Sequence, residues 1–293
     1  MNRRKVYELK VRGGRRIVLG RRTLVMGVLN VTPDSFSDGG KFFDAGRAVE
    51  QALAMERDGA DIIDIGAEST RPGSQEISAS EELGRILPVL ERLRRTRGRL
   101  KALISVDTQK AAVAEVALGA GAEIVNDVSG LRSEARLANV ASAFGAPLLL
   151  MHMRGNPRTM QKGPFARDVV KDVVAGLKKS VAAARAAGVA KSQIVVDPGI
   201  GFGKNFAQNY ELLAKLDELA QMGFPLCVGT SRKKFLGVTL GSQARPLPTE
   251  ERMWGTAATV AASVLGGAHI VRVHDVKEMA QVVRVADCVL ENA

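Results

Sequence analysis

The stretch Ala102-Leu-Ile-Ser-Val-Asp-Thr-Gln-Lys-Ala-Ala-Val-Ala-Glu-Val-Ala-Leu-Gly-Ala-Gly-Ala-Glu-Ile-Val-Asn-Asp127 decides the fold. Residues 102–106 form a short apolar run with β-branched members, the pattern of a buried strand. Asp107 and Thr108 end it, and 109–118 carries Ala, Leu, Glu and Lys at helical spacing. A second such run opens at Glu123. Two buried strands joined through a helix read as a parallel crossover. The same unit repeats in both directions. Strands are predicted at 23–29, 61–65, 102–106, 123–125, 147–151, 193–196, 225–228 and 269–273, with helical segments at 45–59, 81–97, 109–118, 133–144, 168–188, 207–221, 250–265 and 276–290. Eight repeats from residue 23 onward average about 34 residues, the length of a strand, a crossover helix and two loops. The expected fold is α/β, a (β/α)8 TIM barrel, with a doubly wound open sheet as the other topology compatible with the alternation. Ahead of it, Tyr7, Leu9 and Val11, then Gly13-Gly14, then Ile17 and Leu19 alternate around a turn, an N-terminal β-hairpin able to plug one barrel end. No linker or low-complexity stretch interrupts the chain, so 1–293 reads as one domain: a basic hairpin over 1–22 and the barrel over 23–293.

Composition narrows the class further. At 46% hydrophobic and 25% charged, 293 residues exclude disordered and fibrous chains. The longest apolar stretch, 257–268, is too short to span a bilayer and is interrupted by Thr and Ser, so no membrane partner is expected. Cys227 and Cys288 supply neither a disulfide framework nor paired metal ligands. With no apolar run after the basic Met1-Asn-Arg-Arg-Lys5, the expected location is cytoplasmic. Residues 1–22 hold nine Lys/Arg against Glu8, eight of the eleven net positive charges. Charge so localised reads as solvated surface, with no nucleic-acid partner, although a basic arm binding RNA is the non-enzymatic alternative.

In a barrel of this kind the site lies at the C-terminal strand ends. Every predicted end is polar: Asn30 after the first strand, Glu68-Ser-Thr-Arg-Pro-Gly73 after the second, then Asp107, Asn126-Asp127, Met151-His152, Asp197, Ser231-Arg-Lys233 and Arg272-Val-His274. Residues two apart on a strand share a face, which pairs Ser105 with Asp107, Val195 with Asp197 and Arg272 with His274. With that face turned inward, Asp107, Asn126, Asp197, Lys233, Arg272 and His274 meet in one pocket. Carboxylates and an amide suit the donor edge of a heterocycle, while the cations and the Thr70 hydroxyl suit an anion. The competing readings are that Asp107, Asn126 and Asp197 cap following helices, and that Arg272 and His274 pair with Asp64 or Glu68 for structure alone. The glycine run Pro198-Gly-Ile-Gly-Phe-Gly-Lys204-Asn205 lacks the first glycine and the Ser/Thr of a nucleotide P-loop. Three histidines, His152, His269 and His274, are too scattered for a catalytic zinc site. A Schiff-base role for Lys233 stays open.

Taken in order, Asn30-Val-Thr-Pro-Asp-Ser-Phe-Ser-Asp-Gly-Gly40, Glu68-Ser-Thr-Arg-Pro-Gly73, Ser105-Val-Asp-Thr108, Asn126-Asp127, Met151-His-Met153, Asp197-Pro-Gly-Ile-Gly-Phe-Gly-Lys204, Ser231-Arg-Lys233 and Arg272-Val-His-Asp275 resemble the motifs of the dihydropteroate synthase family over roughly 23–290. The resemblance implies a TIM-barrel transferase of folate biosynthesis, a homodimer and sulfonamide target. It would condense 6-hydroxymethyl-7,8-dihydropterin diphosphate with 4-aminobenzoate, using Mg2+ and releasing pyrophosphate. It implies that Asp107, Asn126, Asp197 and Lys233 bind the pterin, with Met151 lining its pocket and Arg272 against the ring. Asn30, Thr70, Arg272 and His274 would hold the diphosphate, with Asn30 also a Mg2+ ligand. Phe36 and Asp38 would lie on a loop closing over the site, and Arg71, Pro72 and Phe202 would border the aminobenzoate pocket. Lys233, Arg272, His274, Phe36 and Asp38 are the expected catalytic group. Lys234 stands where some members have Ser, which bears on sulfonamide sensitivity. A pterin-dependent methyltransferase acting with a corrinoid protein is the alternative on the same barrel.

Overall fold

The computed structural model describes residues 4–11, 14–32, 45–69, 74, 76–96, 100–156, 159–160 and 162–293. Eight parallel strands form the sheet: β3 (Leu24–Asn30), β4 (Ile62–Gly66), β5 (Leu103–Asp107), β6 (Ile124–Asp127), β7 (Leu148–Met151), β8 (Ile194–Asp197), β9 (Cys227–Val228) and β10 (Ile270–Val273). Each pairs with the next in chain order from β3 to β8, and β10 lies between β3 and β9. A parallel bridge between Val196 and Leu226 brings β8 to the β9 segment and draws the sheet round into a barrel. This is the closed topology rather than the open sheet. β9 is shorter than its sequence suggests because the Leu226 N–H leaves the ladder and donates to His269 Nδ1 at 3.1 Å.

Alternation along each strand divides the barrel into two cores. Outward residues such as Val25, Ile63, Val106, Val125, Leu148, Val196 and Val271 pack under the helices. These are α1 (Ala45–Arg57), α2 (Ala79–Arg95), α3 (Ala111–Ala120), α4 (Arg136–Phe144), α5 (Val169–Ala186), α6 (Phe206–Ala214), α7 (Leu216–Ala220), α8 (Lys234–Leu240), α9 (Met253–Leu265) and α10 (Val276–Glu291). The segment expected as one helix over 207–221 breaks at Lys215, and the new turn buries Leu216 and Leu219. The seven-residue α8 was not foreseen. Inward residues Met26, Ile62, Leu103, Ile124, Leu149, Val195, Cys227 and Ile270 form a second, separate cluster.

The hairpin β1 (Tyr7–Lys10) and β2 (Arg16–Leu19) closes the lower end of that inner core with Leu9, Val11 and Leu19. Its basic residues account for much of the N-terminal charge. Arg4 reaches Asp287 at 2.5 Å, the Ala268 carbonyl at 2.9 Å and the Thr23 hydroxyl. Arg15 donates to Glu123 and to the Lys101 carbonyl, and Arg22 makes a fork to Asp61 at 2.8 and 2.5 Å. Among the described residues no helix is long and apolar enough to cross a membrane.

Candidate active site

Two residues above the apolar inner layer, the strands turn polar. Asp64 follows Ile62, Ser105 follows Leu103, Asn126 follows Ile124, Asp197 follows Val195 and Arg272 follows Ile270, so strand parity brings all five onto the barrel axis. The inward face is therefore the chemical one. Arg272 spans the axis, donating from Nε to Asp64 Oδ2 and from Nη2 to Asp107 Oδ2, both at 2.7 Å. Asn126 Nδ2 donates to the same Asp64 oxygen at 2.9 Å. Asp64 and Asp107 hold the Arg272 guanidinium charged, raising its pKa against the cost of burial. Burial pushes the Asp107 carboxyl upward, and the Arg272 charge pulls it back. Buried Asp64 Oδ1 and Ser105 Oγ, on register-paired residues, have no hydrogen-bond partner among the described residues. Unpaired polar atoms at this depth are the kind a binding site retains.

The capping reading does not describe these carboxylates. The first turn of α3 takes its side-chain acceptor from Glu134, which receives the Ala111 N–H at 2.8 Å, and Asn205 caps α6 through a reciprocal capping box with Gln208. Asp127, facing away from the axis, receives the N–H groups of Ser129 and Leu131 at 2.8 and 2.6 Å and shapes its own turn. Asp197 accepts from Gly199 N at 2.6 Å. Burial raises the Asp197 carboxyl, with Lys233, Lys204 and Arg272 among the groups opposing it.

Opposite, Lys233 stands just before α8 with Nζ 3.9 Å from the centre of the Phe202 ring. That contact is a cation–π pair. Burial and Arg272 repulsion lower its pKa to about 8. A Cβ on Gly201, whose φ is +84°, would meet Lys233 Cδ at 3.1 Å, so the glycine loop makes room for the lysine. Phe202 packs on a patch of Val128, Met151, Met153 and Met160. Among the described residues His274 makes no ion pair, and the neighbouring Asp275 charge only partly offsets the cations around it. Its Nδ1 lies 3.0 Å from Ser231 Oγ, which also accepts the His274 backbone N–H at 3.2 Å. With the Ser231 hydroxyl assigned as donor to Nδ1, the imidazole proton is assigned to Nε2. Burial and then the cations Arg272, Arg232 and Lys233 lower the His274 pKa to about 3, so it is neutral. Asn30 stands exposed at the end of β3.

The structure thus brings together Asp107, Asn126, Met151, Asp197, Phe202, Lys233, Arg272, His274 and Asn30 around one mouth. Phe36, Asp38, Thr70, Arg71 and Pro72 lie outside the described residues. The pairing of Arg272 with Asp64 occurs as the structural reading had it, but it orients the guanidinium within the site. Sequence reasoning did not assign Asp64 a place there. The signal was available, since a lone acid in the strand Ile62-Ile-Asp-Ile-Gly66 falls on the inward parity. It also left out Arg232, whose left-handed φ of +59° and fork to Asp275 at 3.0 and 2.5 Å join the eighth motif to the seventh. That contact spans 43 residues, and no local pattern announces it.

Comparison with known proteins gives the family of the chain. The family model of pterin binding enzymes matches residues 26–274. A dihydropteroate synthase of Synechocystis sp. is 50% identical over 268 residues, covering 92% of this chain and 90% of that protein. Among solved structures, dihydropteroate synthase of Yersinia pestis with a sulfonamide drug superposes with a TM-score of 0.88 at 42% identity, covering 98% of this chain and 100% of that one. The enzyme of Xanthomonas albilineans with 4-aminobenzoic acid gives 0.87 at 38% identity, over 97% and 98%. Fold, inward polar layer and family match define the class, a pterin-binding enzyme built on a (β/α)8 barrel. Within that class the chain belongs to the dihydropteroate synthase family, transferases of folate biosynthesis. The corrinoid-linked methyltransferase reading is not favoured, since the relatives matched over nine-tenths of the chain are synthases.

Proposed function

We propose that the barrel mouth condenses 6-hydroxymethyl-7,8-dihydropterin diphosphate with 4-aminobenzoate and that the residues above divide the work. The observation that carries this is the inward layer of Asp107, Asn126 and Asp197 around an Arg272 held on two carboxylates. A pterin presents amino and ring N–H donors beside a carbonyl. Asp107, Asn126 and Asp197 offer acceptors to that edge, Lys233 offers a donor to the carbonyl, and the fixed Arg272 plane lies against the ring. Met151 lines the wall and Phe202 borders the aminobenzoate. The diphosphate is assigned to Arg272, the His274 Nε2–H and the amides and hydroxyls of Asn30 and Thr70.

In the reaction the methylene C–O bond breaks towards pyrophosphate, the arylamine nitrogen forms the new C–N bond, and its proton leaves with the pyrophosphate or to solvent. Charge grows on the departing oxygens, which preorganised donors stabilise. Phe36 and Asp38 are assigned to a loop that keeps water from the electrophile. Magnesium fits the donor set as an ion shared with the substrate. Among the described residues no group of three His, Cys, Asp or Glu forms a cage, and Mg2+ is commonly held by one or two protein oxygens plus phosphates. Asn30 would supply such an oxygen, and the bound ion would neutralise the leaving group.

The same reading makes sulfonamides competitors for the aminobenzoate pocket, with exposed Lys234 at the start of α8 beside it; inhibition noncompetitive with 4-aminobenzoate would contradict that. A homodimer is supported by the exposed apolar residues Trp254, Val285 and Val289 on α9 and α10, and sedimentation tests it. Two free cysteines suit a cytoplasmic setting, which cell fractionation checks. Chain 1–293 is taken to act as one unit, with 1–22 as its plug; limited proteolysis releasing an active fragment without the hairpin would contradict this.

The assigned roles are tested by two variants. Asp197→Asn is expected to weaken pterin diphosphate binding about tenfold with a smaller change in kcat, on the scale of one charge-assisted hydrogen bond. Arg272→Ala, which also strands Asp64 and Asp107, is expected to lower kcat/KM by a hundredfold or more, roughly the cost of an unpaired buried charge. Wild-type kinetics in both would remove the assignment.

A further inference from the structure

Lys204 ends the run Asp197-Pro-Gly-Ile-Gly-Phe-Gly-Lys204, and no role falls to it in the reading above. Its side chain is directed inward, with 2% of the residue exposed. Nζ donates to the carbonyls of Pro198 and Gly199 at 2.8 Å and of His152 at 2.9 Å, and lies 2.9 Å from His152 Nδ1. An ammonium has three N–H groups and accepts nothing, so three carbonyls saturate it and the imidazole shares one hydrogen. A cation at this depth is costly unless its donors are met. Burial lowers its pKa to about 7, with Asp197 and Asp172 acting to raise it.

The three carbonyls come from two loops. His152 follows β7, while Pro198 and Gly199 follow β8. These loops lie so close that a Cβ on Gly199, whose φ is +67°, would fall 1.8 Å from the His152 carbonyl oxygen. Gly199 is also the centre of the site side of the loop. Its N–H holds Asp197 at 2.6 Å, and its carbonyl, already bound by Lys204, accepts the Phe202 N–H at 3.0 Å. Asp197 and Phe202 thus hang from the two consecutive peptides whose carbonyls, Pro198 and Gly199, Lys204 grips.

We propose that Lys204 is a positioning residue whose ammonium clamps the loops after β7 and β8, fixing Asp197 in the pterin pocket relative to Phe202 at the aminobenzoate pocket. The inference rests on the proposed division of the mouth. Two substrates that must meet in line are sensitive to the separation of their pockets, and a 1 Å displacement costs up to about 100-fold in rate. A lysine serving stability alone would leave turnover of the folded enzyme untouched.

The test is steady-state kinetics of the full-length Lys204→Ala and Lys204→Arg variants beside their thermal unfolding. Lys204→Ala is expected to lose on the order of 10- to 100-fold in kcat and to raise the KM for 4-aminobenzoate. Methylammonium is expected to restore part of kcat where tetramethylammonium, which has no N–H, does not. Lys204→Arg keeps the charge but directs its donors in one plane, so it is expected to stay folded and still lose kcat. If Lys204→Ala does not fold, Lys204→Arg alone decides. Melting temperatures lowered with kcat and both KM values at wild-type level would overturn the clamp. Amide exchange at Gly199 and Phe202 separates this inference from the function itself. If the wild type forms no dihydropteroate, the functional reading has failed, and faster exchange at those two amides in Lys204→Arg still supports the clamp, whereas unchanged exchange overturns it.

Discussion

Lys233 shows how the mouth tunes one residue through its surroundings. Half-buried beside Phe202, its ammonium has a pKa lowered to about 8 by desolvation and by Arg272 repulsion, with Asp197 and Asp107 opposing the shift. Losing the proton removes a donor and a positive charge from the proposed pterin site, so affinity is expected to fall as pH rises through that value. kcat/KM for the pterin diphosphate is therefore expected to decline above about pH 8, and Lys233→Arg, charged throughout, to move that limb upward in a pH profile. His274 adds no limb between pH 5 and 8, since its pKa is lowered to about 3. An unshifted limb in Lys233→Arg would contradict this account. At this scale much of the site was legible in the sequence, because period-2 alternation assigns a face once one strand's inward residues are known. Asp107, Asn126, Asp197 and Arg272 came out that way. Arg232 on Asp275 and Lys204 on three carbonyls did not, because their partners are ones that only the closed barrel supplies.

Strands and crossover helices follow local pattern, and their predicted positions fall within a few residues of the observed ones. The exceptions have physical reasons. β9 shortens because His269 takes the Leu226 N–H, and the helix after β8 breaks so that Leu216 and Leu219 reach the core. α8 escaped notice because Gly237 and Thr239 are poor helix formers in a seven-residue segment. The hairpin's alternation makes it legible as a plug, while its charge is explained only by the partners its arginines meet in the folded barrel. Arg4 and Asp287 are buried together, their side chains 3% and 10% exposed. Arg4→Ala leaves Asp287 uncompensated and is expected to lower stability by about 3–5 kcal/mol in urea unfolding, with kcat per folded molecule unchanged. A loss below about 1 kcal/mol, the scale of a surface pair, would mean the hairpin is not fastened there.

Across the whole molecule, one end of the barrel is closed by the hairpin on an apolar layer, and the other opens on charge. That polarity follows from the repeat itself: in every βα unit the strand ends where its loop begins, so eight loops converge on one face. Closure was the least legible feature, since an open sheet and a barrel share the same alternation and differ in strand order and in whether the two ends of the sheet meet. The bridge between Val196 and Leu226 settles it. The central claim is that this face joins two substrates with loss of pyrophosphate. It is tested most directly by following pyrophosphate release from the pterin diphosphate in Mg2+, with and without 4-aminobenzoate. The account predicts release that needs both substrates and matches dihydropteroate formed one for one. Pterin diphosphate that binds without releasing pyrophosphate, or pyrophosphate released without dihydropteroate, would contradict it.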